Sequence, residues 1–134
     1  MVRAFRQTQV IMDGLTAFDA APVNGAAGAP ATFYTTPLDC RGMILHCDIQ
    51  DGTTFSLTFT VKTWNPYADT PVETGTLLAS AAKSSNGGFE LQIGPGNATT
   101  ANVSAGLMMP QYWSLVISGT TDTCKIKVVA EYVP

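Results

Sequence analysis

One histidine, His46, and three cysteines, Cys40, Cys47 and Cys124, are the side chains of this sequence best suited to chemistry. His46 stands two residues from Asp48. Residues two apart on a strand share a face, so the pair has the spacing of a base oriented by a carboxylate. Such a system also needs a nucleophile, and no G-x-S-x-G elbow or related turn supplies one. His46 therefore reads as a surface or interface histidine. The cysteines and His46 could in principle hold zinc, but the spacing from Cys40 to Cys47 does not match the close pairs of structural zinc sites. Cys47 alternates with Leu45 on the apolar side of its segment, where a thiol packs as a small hydrophobe. An odd cysteine count, with no apolar leader after Met1, argues against a secreted disulfide framework. The three thiols are expected to be free.

Glycoside hydrolysis would need two facing carboxylates. Asp48, Asp51, Asp69, Glu73, Glu90 and Asp122 mostly fall at strand ends and turns and read as solvated. Gly94-Pro95-Gly96 lacks the lysine of a phosphate loop and marks a tight corner. Asn97-Ala98-Thr99 and Asn102-Val103-Ser104 match a glycosylation sequon but read as polar loop. Trp64, Tyr67 and Tyr112 suit either a sugar-stacking platform or protein-interface anchors. Trp64 continues its strand at the parity opposite Phe55–Val61, which points it outward. No catalytic, cofactor or metal motif emerges, and the chain is expected not to be an enzyme.

The positioning elements are strands. In Phe55–Trp64, apolar Phe55, Leu57, Phe59 and Val61 alternate with Ser56, Thr58, Thr60 and Lys62, a period of two. The same pattern marks strands at Thr32–Thr36, Gly42–Ile49, Thr54–Trp64, Thr76–Ala82, Gly88–Ile93, Tyr112–Ser118 and Lys125–Tyr132. Turn signals separate them, and Asp51-Gly52 suits a hairpin between the second and third. Gln7–Ile11 reads as a strand or an extended arm, followed by an Ala/Gly/Pro-rich stretch. The expected fold is all-β, an about eight-stranded sandwich, jelly-roll-like or an Ig-like Greek key. Residues 1–31 form an N-terminal arm or loop segment and 32–134 the sandwich body. Residues 97–106 read as a loop between sheets. The expected core is Met43, Leu45, Cys47, Phe55, Leu57, Phe59, Val61, Leu78, Phe89, Leu91, Ile93, Trp113, Leu115, Ile117, Ile126, Val128, Ala130 and Tyr132.

The 134 residues suffice for one core. They are 46% hydrophobic but only 13% charged, about half the usual share, as on surfaces largely covered by partners. With a net charge of −3 and scattered lysines and arginines, no basic stripe is present to neutralise a phosphate backbone. No run approaches a membrane span.

From Phe59 onward the order of motifs is distinctive. A threonine-rich strand runs into Asn65-Pro66-Tyr67, followed by Leu77-Leu-Ala-Ser-Ala-Ala82 and Phe89-Glu-Leu-Gln-Ile-Gly-Pro-Gly96. Then come Met109-Pro-Gln-Tyr-Trp113 and a final alternating strand. This half of the chain resembles small structural proteins of tailed bacteriophages, of the capsid decoration, or cement, type. The resemblance implies a virion protein, assembled in the host cytoplasm, that binds the major capsid protein, stabilises the shell and associates as a homotrimer. It implies no nucleic acid, membrane or small-molecule partner. The alternative is a tail, neck or fibre-associated sandwich recognising a host glycan. Val10, Ile11, Leu15 and Phe18 in the N-terminal segment, with Trp64 and Tyr67, are the expected partner-binding residues.

Overall fold

A computed structural model describes residues 7–15, 34–69, 72–121 and 124–134; at residues 14, 15, 120 and 121 it describes the backbone alone. The elements are β1 (Gln7–Leu15), β2 (Tyr34–Thr35), β3 (Gly42–Gln50), β4 (Phe55–Asn65), β5 (Val72–Ala79), β6 (Gly87–Ile93), β7 (Ser104–Ala105), β8 (Tyr112–Thr121) and β9 (Lys125–Val133). The fold is all-β, with no helix among the described residues. A five-stranded sheet, β1-β9-β3-β6-β7, packs on a four-stranded sheet, β2-β8-β4-β5.

The pairing is nested. β4 pairs with β5, β3 with β6, β2 with β8 and β1 with β9, all antiparallel. This is one long ribbon folded over so that successive pairs alternate between sheets, which is the jelly-roll arrangement. β7 is an addition, two residues parallel to the end of β6. Of the two readings of Gln7–Ile11, residues 7–15 adopt the strand, at the edge of the larger sheet.

Two expectations about connections are corrected. Asp51-Gly52 does not close a hairpin, because β3 pairs with β6 and β9 while β4 pairs with β5 and β8. Here the chain crosses between sheets. Asp51 takes a positive φ of 58°. Gly52 N–H donates to Asn86 Oδ1 at 2.9 Å, and Asn86 Nδ2 donates to the Gly52 carbonyl at 3.0 Å. The corner is thus tied to the β5–β6 loop rather than to a partner strand. Residues 97–106 are not wholly a loop between sheets, since Ser104–Ala105 returns to the sheet of β6. Two residues are too short to carry a legible alternation.

The core lies between the sheets. Every expected core residue is buried except Phe89, which is half-buried and packs on Phe59 with ring centroids 5.0 Å apart. Ile49, Cys40, Cys124, Ala105 and Met109 join the core. Gly119, at φ 131°, is required where β8 crosses β4, because a Cβ there would overlap the Ser56 carbonyl.

All four sheet edges are blunted. β2 and β7 are two residues long. The register of β1 on β9 skips Ile11 and Gly14, and that of β5 on β4 skips Thr74 and Leu77. Short and bulged edges are poor templates for another strand.

Candidate functional site

The connections set one pole of the sandwich. The β2–β3, β4–β5, β6–β7 and β7–β8 loops all leave from the end where Gly42, Asn65, Ile93 and Tyr112 stand. Backbone bonds join the β2–β3 and β7–β8 loops to each other and to the end of β9. Thr36 N–H donates to Gln111 O at 2.8 Å, Met109 N–H to Arg41 O at 2.9 Å and Arg41 N–H to Val133 O at 2.9 Å. Thr36 Oγ1 also donates to Pro110 O at 2.8 Å. The pole is therefore a cross-braced surface.

Exposed apolar side chains are concentrated there. Among the described residues, seven large hydrophobic side chains are exposed, and all but Val10 stand at this pole: Leu38, Tyr67, Val72, Val103, Leu107 and Met108. Leu38 is 94% exposed, Tyr67 85% and Met108 67%. Met109 turns into the core while its two predecessors turn out. Concentration of exposed apolar area, rather than its amount, is the mark of an interaction surface. Of these six, only Tyr67 was anticipated. The legible signal was Leu107-Met108-Met109 between Gly106 and Pro110, three large apolar residues in a turn segment, which cannot all face one core.

The expected partner-binding residues are dispersed. Val10 is exposed on β1 opposite Val129. Ile11, at the bulge, is half-buried against the core. Leu15 pairs through its backbone with Ile126. Phe18 lies outside the described residues. Trp64 corrects the expectation of an outward aromatic, since it is 9% exposed. Its parity does place it on the outer face of the smaller sheet, outside the central cluster. That end of the face is covered, however: Ser114, on the same face, is fully buried. Ser114 Oγ donates to Glu73 Oε1 at 3.3 Å, and Lys62 Nζ lies 3.3 Å from Glu73 Oε2. Alternation decides the face of a strand, not what lies over it. With Trp64 buried, no surface platform of Trp64, Tyr67 and Tyr112 forms.

His46 sits on the outer face of the larger sheet. Its Nδ1 is 3.3 Å from Glu90 Oε1 on β6, and its Nε2 is 3.0 Å from Glu131 Oε1 on β9. Asp48 is not its partner and accepts from Gln50 Nε2 at 2.9 Å. Glu73 and Glu90, read as solvated, both make cross-strand contacts. A neutral imidazole carries one N–H, so both contacts become hydrogen bonds together only in the imidazolium. The ring nitrogens point to opposite carboxylates, so the group staples three strands and does not converge on a metal. No cluster of metal-ligating residues occurs among the described residues.

None of the three cysteines is in a disulfide, and all three are buried. Burial pushes the Cys47 thiol up to about 12, with Lys83 pulling weakly the other way. A thiol so held is inert as a nucleophile at neutral pH.

Comparison with protein-family models, with curated proteins and with solved structures finds no match.

Proposed function

We propose that this protein is a capsid decoration, or cement, protein of a tailed bacteriophage that binds the major capsid protein and stabilises the shell, acting as a homotrimer. The observation that carries this reading is the apolar pole, where six of the seven large hydrophobic side chains exposed among the described residues stand, and where the β2–β3 and β7–β8 loops are bonded to each other. A rigid apolar surface loses little entropy on docking. The blunted edges support it further, because strand addition is disfavoured. The sequence resemblance supplies the identity of that partner. Jelly rolls serve virus shells and lectins alike, so the fold agrees with the reading without selecting it. Attachment at many lattice points converts modest single contacts into tight retention.

The test is co-sedimentation with shells assembled from the major capsid protein. Leu38→Asp with Met108→Asp should lower retention at least tenfold and leave the urea midpoint unchanged, since both side chains are exposed. Unaltered retention of the double variant, or no binding of the unmodified protein to shells, would overturn the proposal.

A further inference from the structure

We propose that a cleft beside the apolar pole receives a carboxylate borne by an extended segment of a protein partner, with Arg41 as its counter-ion. This deepens the docking reading above and rests on it for the identity of the partner.

The cleft has a volume of about 430 Å³ and is lined by Arg41, Gly42, Gln92, Gly94, Asn97 and Val133 among others. That is the size of a site for a small ligand or one anchored side chain. Gly42 and Gly94 keep its floor low, since a Cβ on Gly42 would come within 2.7 Å of the Ile93 carbonyl and 3.2 Å of Gly94 Cα. Arg41 is held at both backbone polar atoms, by Val133 O and by Met109 N–H. Its backbone is therefore fixed while the residue as a whole is exposed.

The charge pattern identifies the occupant. Lys62 is paired with Glu73, Lys125 with Asp51, and Lys83 lies over the Phe89 ring at 4.5 Å. Lys127 stands on the open outer face of the larger sheet. Arg41 lines the cleft together with the terminal residue Pro134, and among the described residues it is in no ion pair. The nearest carboxylate in sequence, Asp39, accepts from the Cys40 thiol at 3.8 Å. A guanidinium offers a planar fork matched to a carboxylate, and Gln92 and Asn97 line the same cleft. Leu107 and Met108 follow on the loop that Met109 ties to Arg41. They are exposed on that loop, outside the lining of the cleft. The fitting ligand is thus an Asp or Glu side chain of a protein partner.

The test is titration of the full ¹⁵N-labelled chain with a terminally blocked Leu-Glu-Leu peptide and its Leu-Gln-Leu counterpart, read by amide chemical shifts. The glutamate peptide should produce saturable shifts at Gly42, Gly94, Asn97 and the Arg41 side chain at millimolar concentration. The glutamine peptide, and the glutamate peptide on Arg41→Gln, should bind about tenfold more weakly, the value of a hydrogen bond to a charged group. Arg41→Lys should recover part of the loss. Absence of saturable shifts at these positions, or equal binding of the two peptides, would overturn the proposal. So would self-association in sedimentation equilibrium that Arg41→Gln abolishes, which would make a second copy the occupant. Peptide binding that survives alongside failed shell co-sedimentation would sink the capsid reading and leave the cleft standing.

Discussion

Ser80 stands where the ladder of β5 on β4 ends, and its hydroxyl fills a gap in that ladder. The last regular pair is Thr60 with Ala79. Ser80 N–H then donates to Phe59 O at 2.8 Å, while Phe59 N–H donates to Ser80 Oγ at 3.0 Å. The hydroxyl donates in turn to the Ala81 carbonyl at 2.8 Å. Beyond it the chain bows away and returns to β4 at Lys83, which exchanges both backbone bonds with Leu57. The side chain of Ser80 thus replaces a backbone carbonyl. Ser80→Ala removes one net hydrogen bond, about 1 kcal/mol, and strands the buried Phe59 N–H, about 1–2 kcal/mol more. The expected loss is about 2–3 kcal/mol. For a chain of this length, unfolding entropy of about 2.1 cal/mol/K per residue converts that to a fall of about 7–10 °C in Tm. Ser56→Ala, an exposed position on the same strand, should stay within about 0.5 kcal/mol. Urea unfolding followed by tryptophan fluorescence, with a calorimetric Tm, measures both. A loss below about 0.5 kcal/mol at Ser80 would show that water or a shifted carbonyl satisfies Phe59 N–H, and that the hydroxyl is not the missing rung.

Stability should fall as pH rises from 9 toward 12. Burial lifts the Cys47 thiol from 9.0 to about 12. It also lifts the Tyr132 hydroxyl from 10.0 to about 12, against the opposing pull of the Trp113 indole. The unfolded chain ionises first, so these contributions are complete below the unfolded values and lost through the folded ones; Cys47→Ala should flatten the onset near pH 9. Alkylation followed by mass spectrometry should label none of the three buried thiols rapidly in native protein and all three in denaturant. Two thiols protected in denaturant without reductant would contradict free cysteines. His46→Ala should cost less than about 1 kcal/mol by urea titration, because its contacts with Glu90 and Glu131 are half-exposed surface pairs.

Strand positions and core faces were legible in the sequence because alternation is a local property. Phe55, Leu57, Phe59 and Val61 share a face whatever lies opposite, and all four are buried. Tertiary structure decided which strands meet. Both sheets carry the same alternation, so nothing local distinguishes a hairpin at Asp51-Gly52 from a crossing between layers. His46 finds its carboxylates on strands 44 and 85 residues further along the chain, and the neighbouring Asp48 was a misleading clue. Trp64 kept the parity that its sequence implied yet is buried, because parity names a face and only packing determines whether solvent reaches it. The apolar pole and its cleft are likewise products of topology. Leu38 and Arg41 lie on one loop, and Tyr67 and Leu107 on two others, without any shared period. They become neighbours because the nested ribbon delivers those loops to the same end of the sandwich.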